Sequence, residues 1–423
     1  MSVRPERGIT RIVTALDVGS SKVAALIGRA RLDGTVEPLG IGARVCHGVR
    51  RGLVADMAAT EVAIRGAMDM AEAQAKTQAD RVTVSLGAGG LMSHVKTVEM
   101  AIPGQLVTRE HIAALLADGR RRIYLKPRTV LHAQPALYTL DGETPVPDPL
   151  GFHADRLSVD IHVVSAETPP IRNLDSCVRA AHLGIQTIVA SPVAAGLAVL
   201  AGEERDLGVA LVDLGAGVTT VAIYGRGLLV EIAAIAMGGQ DITDDIAAAF
   251  ATKRAHAERL KVMHGSAGIA PRDNHEQLET VPIADEDAPE TGRVTRAQLN
   301  QLIRARLTIL FQQVADALTT MGFTGPAGRQ VVLTGGGAEL SGIAEFAHAQ
   351  LARQVRVGRA KGLSRLTGGE ATGALATLAG LAAFAARDPD DLWSLAERHA
   401  ARARADDSRS PFARMASRLR SSL

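Results

Sequence analysis

The sequence predicts an α/β protein of two homologous lobes, with a smaller α+β unit inserted into the first. Three observations carry this expectation. A hairpin pattern occurs twice, as VTALDVGSSKVAALIG at 13–28 and VALVDLGAGVTTVAIY at 209–224. Each copy is an apolar, β-rich run ending in Asp, then a small-residue turn, then a second β-rich run, which reads as strand, turn, strand. Helix and strand patterns alternate around both copies, and the segment 89–166 breaks that alternation.

In chain order, 60–79 is Ala-rich with apolar positions at helical spacing, and DRVTVSLGA at 80–88 follows as a strand. The inserted segment begins with the strand-like HVKTVEMAI. A helix follows, opened by Thr108 as N-cap with His111 three residues on, then a turn, YTLDGETPVPDPLG, and the alternating strand RLSVDIHVVSA. After the second hairpin, MGGQDITDDIAAAF reads as a Gly turn capped by Thr243 into a helix, with Asp244 and Asp245 near its positive end. AERLKVMHGSA is a further helix. The Pro-, Asp- and Glu-rich 268–293 reads as loop, 298–320 as a long amphipathic helix, and VVLTGGGAEL as a strand closing on three glycines.

The expected division is a first lobe at 1–88, continued by 167–207 and 371–386, with the inserted subdomain at 89–166. The second lobe is 208–240, continued by 329–370, and carries a subdomain at 241–328. A charged linker at 387–409 then leads to a terminal helix at 410–423.

Composition bounds the function. Forty-seven basic and 45 acidic residues leave a formal charge of +2, so no global field favours nucleic acid. Cys46 and Cys177 cannot form a disulfide framework, no metal-ligand spacing joins the histidines, and a reducing cytosol is expected. The N-terminus does not read as a signal peptide. The apolar 371–386, interrupted by Gly373 and Gly380, falls short of the ~20 residues of a spanning helix and reads as a buried one.

Two facing hairpins supply what a nucleoside triphosphate with magnesium needs: crowded backbone N–H groups, little bulk, and carboxylates for a hydrated metal. Gly19, Ser20 and Ser21 would present amides and hydroxyls from one lobe, and Gly215, Ala216 and Gly217 from the other. Asp17 and Asp213 would hold Mg2+ through water, and Lys22 would add charge. Gly335, Gly336 and Gly337 would let an adenine lie flat on the backbone, with Gly238 and Gly239 bordering the ribose.

Two phosphate hairpins, a GGxxIT turn, an ERxK helix and an LTGGG turn in this order resemble the superfamily of actin, sugar kinases and heat-shock-chaperone ATPases. The resemblance implies an actin-like two-lobe ATPase fold of duplicated ribonuclease-H-like domains, with ATP as ligand. By that likeness Glu258 and Lys261 reach the adenosine; otherwise they are a surface ion pair one helical turn apart. Within the superfamily, DVGSSKVAALIG, DLGAGVTTVAIY, AMGGQDITDDIA, AERLKVMHGSA and VVLTGGGAELSGI resemble the FtsA family of bacterial cell-division proteins, and the insertion at 89–166 resembles its additional subdomain. Thr220 stands where that family commonly has a second Asp, and Ala216 breaks its Gly run. The departure puts brisk ATP hydrolysis in question and leaves nucleotide binding, which rests on backbone.

Ser410 can cap a helix beginning at Pro411 in which Phe412, Met415, Ala416, Leu419 and Leu423 share a stripe, with Arg414 and Arg418 opposite and Arg420 flanking. Such a helix suits an anionic membrane surface, or it packs back on the protein or stays disordered. Its place behind a polar linker resembles the FtsA membrane-targeting sequence. The family likeness further implies peripheral attachment to the cytoplasmic face of the inner membrane at the septum, self-assembly into filaments, and recruitment of later division proteins through the insert. It also implies docking of the FtsZ C-terminal peptide on 241–328, where Arg296, Arg304 and Arg306 are candidate contacts or else solvated helix charges. The alternatives are a pilus-assembly scaffold similar to PilM and a small-molecule kinase of the same fold.

Overall fold

The computed structural model describes residues 9–123, 127–281, 292–324, 330–360 and 372–387. The candidate terminal helix at 410–423 and nearly all of its linker lie outside the described residues. The chain forms two compact units, Ser93–Ser165 being separate from the unit made by Met1–Met92 and Ala166–Arg387.

The larger unit begins with an antiparallel meander, β1 (Ile9–Val18), β2 (Lys22–Arg31) and β3 (Val36–Val45), followed by the short pair β4 (Val49–Arg50) and β5 (Leu53–Val54). Helix α1 (Met57–Ala75) is capped by the Asp56 carboxylate, which accepts from the Ala59 amide at 3.0 Å, and ends at Lys76 in the left-handed region. Its buried side, Ala63, Ile64, Ala67, Met68 and Ala71, follows the helical period read in the sequence. Strand β6 (Arg81–Leu86) then pairs parallel with β1.

The smaller unit comprises β7 (Met92–Leu106), α2 (Arg109–Arg122), β8 (Arg128–Leu140), β9 (Thr144–Val146) and β10 (His153–Glu167), in the sheet order β7-β10-β8-β9. Thr108 caps α2 as expected, and His111 makes the cap reciprocal: each side chain accepts from the other residue's amide, at 3.3 Å. The apolar faces of α2 and the sheet close one core around Ile112, Leu115, Leu116, Leu157 and Ile161. The segment read as one long turn is tighter than expected. Tyr138–Leu140 pairs with Thr144–Val146 across the three residues Asp141, Gly142 and Glu143; Asp141 and Gly142 are at positive φ, and Glu143 N donates to Leu140 O at 3.1 Å.

The chain returns to the larger unit through α3 (Thr168–Ala180) and β11 (Gly184–Ala190), which completes a five-stranded sheet of order β11-β6-β1-β2-β3. Helices α4 (Ser191–Val199) and α5 (Gly202–Leu207) lead to the second meander, β12 (Val209–Leu214), β13 (Thr219–Gly225) and β14 (Leu228–Ile235). Helices α6 (Gly239–Ala249) and α7 (Arg254–His264), the pair β15 (Gln277–Thr280) and β16 (Gly292–Thr295), and α8 (Arg296–Thr320) come next. Strand β17 (Gln330–Thr334), α9 (Ile343–Leu351) and β18 (Val355–Val357) complete a sheet of order β14-β13-β12-β17-β18. The two large sheets share one topology, a three-stranded antiparallel meander followed by two parallel strands.

Helix α10 (Ala376–Ala386) is the buried helix expected near the end of the first lobe, and its Leu378, Leu381 and Ala382 pack with Ala15, Leu26 and Ala194. At its crossing with α4 a Cβ on Gly380 would stand 1.7 Å from the Ala194 carbonyl oxygen, so the two backbones meet with no side chain between them. Among the described residues no helix is long and apolar enough to cross a membrane.

Two local expectations are corrected. Thr243 does not cap α6. The helix starts four residues earlier, where the Asp241 carboxylate accepts from the Gly238 amide at 2.8 Å, so Asp244 and Asp245 lie past the first turn. Nor is 268–293 wholly loop. Gln277–Thr280 pairs antiparallel with Gly292–Thr295, and Leu278 and Thr280 turn inward. The Pro- and acid-rich composition of the surrounding segment hid this short alternation; 282–291 lies outside the described residues.

Candidate functional site

Both hairpin turns are closed by the same bond: Gly19 N donates to Lys22 O at 3.0 Å, and Gly215 N to Val218 O at 3.1 Å. The closure leaves the amides of Ser20 and Ser21 in one turn, and of Ala216 and Gly217 in the other, without a partner among the described residues. Four such N–H groups are the raw material of an anion site.

Beneath the turns, Asp17 is the penultimate residue of β1 and Asp213 that of β12. Ser85 Oγ, on the parallel neighbour β6, donates to Asp17 Oδ1 at 2.6 Å. Burial raises the Asp17 carboxyl above the usual carboxylate range, against the pull of that bond and of Lys22, whose ammonium burial lowers in turn. Asp213 is pushed up to about 7 by burial first and by the Asp17 charge second; its one side-chain bond, from Thr377 Oγ1, is long at 3.3 Å. Two half-buried carboxyls that repel each other are a donor set short of a cation. No cluster of three or more metal-ligating His, Cys, Asp or Glu side chains exists among the described residues. Thr220, opposite Asp213 in the hairpin, is buried with its hydroxyl unpartnered.

The remaining expected residues fall into two sets. Gly335 has φ +86°, and a Cβ there would lie 2.3 Å from Asp213 Oδ1, so the position excludes any side chain. Gly337 packs on Leu214, whereas a Cβ on Gly336 would meet, among the described residues, only the Ala374 methyl, at 3.9 Å. Gly238 and Gly239 are engaged with the second hairpin: Gly239 N donates to Gly215 O at 2.9 Å, and Gly238 lies against the Gly215 and Ala216 carbonyls. Lys261 is no loose surface ion. Its ammonium donates to Gly239 O and Thr243 Oγ1 at 2.8 Å each and to Glu258 at 2.7 Å, fastening α7 to the start of α6. Mg-ATP fits this arrangement: the four amides and Lys22 would face phosphate oxygens, and Asp17 and Asp213 would face the hydrated ion.

Sequence reasoning missed how the start of α6 is tied to the β4–β5 turn and to the first hairpin turn. Arg51 at φ +50° sends its guanidinium bidentate onto Asp241, both contacts 2.6 Å, and Gln240 Nε2 donates to Ser20 O at 3.0 Å. Ser20 Oγ accepts from Gly52 N at 2.9 Å, and a Cβ on Gly217 would approach that oxygen to 2.7 Å. Only a positively charged turn residue, far from its partner in sequence, hinted at this.

Arg296, Arg304 and Arg306 are partly buried, and each is engaged within the protein. Arg296 binds Glu276 and the His264 carbonyl; Arg304 donates to Ala267 O and covers the Phe346 ring at 4.9 Å; Arg306 is bidentate to Asp245 at 2.6 Å.

Solved structures of the same architecture include the PilM-PilN type IV pilus biogenesis complex, TM-score 0.59 at 17% identity over 89% of this chain and 99% of that one. MreB5 of Spiroplasma citri bound to ADP matches with TM-score 0.51 at 14% identity, over 88% and 95%. Duplicated sheets, paired Asp hairpins and these likenesses define a protein of the actin-like ATPase fold. Residues 210–380 match the family described as Cell division protein FtsA, and 89–165 match the SHS2 domain inserted in FTSA. The Cell division protein FtsA of Rhizobium meliloti (strain 1021) is 37% identical over 88% of this chain and 86% of its own length, and that of Escherichia coli (strain K12) is 28% identical over 84% and 86%. This chain belongs to the FtsA family.

Proposed function

We propose that the chain is an ATP-binding cell-division protein that polymerises on the cytoplasmic face of the inner membrane and tethers FtsZ filaments at the septum. The observation that carries nucleotide binding is the pair of hairpins with free amides above two carboxyls that burial and mutual repulsion leave short of a cation. When bound, Mg2+ supplies the positive charge that this pair lacks. The chain's own part is to bind and orient: Lys22 and the Ser20, Ser21, Ala216 and Gly217 amides hold anionic oxygen, while Gly335 leaves the Asp213 carboxylate the room that any side chain there would take. Thr220 has no acid–base capacity near pH 7, so hydrolysis is weak at best.

The family relationship favours this reading over the pilus scaffold, whose likeness is one of fold. Membrane attachment is assigned to the stripe of Phe412, Met415 and Leu419 with Arg414, Arg418 and Arg420. Recruitment of later division proteins is assigned to the inserted unit, and FtsZ docking to 241–328.

The test is calorimetry of the full chain with ATP and ADP in magnesium, alongside sedimentation with anionic liposomes. Nucleotide should bind, and Phe412→Glu should release the protein from liposomes while leaving nucleotide affinity unchanged. Absence of any adenine-nucleotide binding refutes the site; undiminished pelleting of Phe412→Glu refutes the anchor.

A further inference from the structure

The end of the first sheet where the chain leaves for its tail is built as a surface. Strands β1 and β2 pair Arg11 with Ala30 and Ile12 with Arg29, and Arg31 opens the β2–β3 turn. Arg11 reaches over to the end of α10, donating to the Ala385 and Arg387 carbonyls at 2.6 and 3.1 Å, and Val13, Ala30 and Ala385 close a small core beneath. Gly34 of the turn lies against the Arg387 side chain, a Cβ there standing 3.6 Å from Arg387 Cγ. The root of the tail is therefore pinned to the β2–β3 turn.

That turn presents Leu32, which is 75% exposed. It is not a floppy tip. Gly34 N donates to Arg31 O at 3.0 Å, Arg31 N to Thr35 O at 2.9 Å, and the Asp33 carboxylate is drawn onto the Thr35 amide and hydroxyl at 2.9 and 2.6 Å. A rigid turn that holds a leucine outward spends no ordering entropy when that leucine is buried. Around it stand Arg11, Arg29, Arg31 and Arg387, against Asp33 and Glu37 as the only carboxylates among these residues, and Glu37 is occupied with Arg29 and Arg31. An apolar point with surplus positive charge, at the root of a tail that carries basic amphipathic sequence, matches the chemistry of an anionic lipid surface.

We infer that the β2–β3 turn is a second membrane contact: Leu32 enters the headgroup boundary of an anionic bilayer beside the tail root, with the flanking arginines on lipid phosphates. The inference rests on the tail being the anchor. It turns a loose tether into a two-point attachment that fixes which end of the first sheet faces the lipid.

The experiment uses the full chain with vesicles of phosphatidylglycerol and phosphatidylethanolamine. Leu32→Glu should weaken binding about tenfold, as expected for losing partial burial of one leucine, with nucleotide affinity unchanged. In a Trp393→Phe background, Leu32→Trp should show a blue-shifted emission on adding vesicles and quenching by brominated acyl chains. Wild-type affinity in Leu32→Glu together with an unshifted Leu32→Trp overturns the second contact, while loss of binding in Phe412→Glu still upholds the anchor. Undiminished binding of Phe412→Glu refutes the anchor, and the Leu32→Trp emission then reads the turn separately. A blue shift produced by raising protein concentration without vesicles assigns the turn to a second copy and overturns the lipid assignment.

Discussion

Replacing Asp213 by Asn should stabilise the nucleotide-free protein while destroying its affinity for Mg-ATP. In the folded chain burial and the Asp17 charge raise this carboxyl from 3.8 to about 7. A raised carboxyl leaves stability intact below 3.8; the loss accrues as pH rises from there to about 7 and is constant above. A shift of about 3 pH units corresponds to about 4 kcal/mol at 1.36 kcal/mol per unit, and water reaching the cleft screens this to about 2 kcal/mol. Asn is nearly isosteric, cannot ionise, and can still accept from Thr377. At pH 8 without nucleotide, Asp213→Asn should therefore melt roughly 2 to 3 °C above wild type, and the gap should narrow steadily toward pH 5. Calorimetric scans of both proteins across that range, with and without Mg-ATP, read the effect directly. A variant less stable than wild type at pH 8, or a gap independent of pH, refutes the argument that unmet carboxylate repulsion marks a cation site.

The Arg51–Asp241 pair should show a coupling of about 1 kcal/mol in a double-mutant cycle by chemical denaturation, the bidentate geometry being offset by the half-exposed guanidinium; strictly additive single variants would deny that the pair ties the β4–β5 turn to the start of α6. Gly380→Leu should cost more than about 3 kcal/mol or abolish soluble expression, since its Cβ falls 1.7 Å from Ala194 O; an unchanged denaturation midpoint would mean the crossing of α4 and α10 is looser than described.

The two-lobed fold was legible because duplication puts the same pattern on the page twice. Asp17 and Asp213 stand next to last in paired strands of sheets that share one topology, and the GSS and GAG turns follow. Caps with a local signature were also legible, as at Thr108. Thr243 was misread because the true N-terminal partner, Asp241, sits inside a helix that opens on glycines and presents no hydroxyl at its cap. Contacts made across the sequence left no local trace. Arg51 and Asp241 are 190 positions apart, Gln240 and Ser20 are 220 apart, and the engagement of Arg304 with Phe346 depends on how α8 and α9 pack. Periodicity reports which face of an element is buried, not which residue of another element it will meet.

The irregularities of the two meanders fall at one end. Pairing slips between Ile9 and Arg11, between Ile27 and Gly28, and between Ile223 and Tyr224, whereas Leu16 to Val23 and Asp213 to Thr220 run in unbroken register. A strand alternates faces with every residue, so a single inserted residue next to Asp17 or Asp213 would turn the carboxylate to the far side of its sheet. The same insertion at the far end is taken up as one more bulge. Each hairpin thus has an end that tolerates editing of its length and an end that does not, and both carboxylates are at the second.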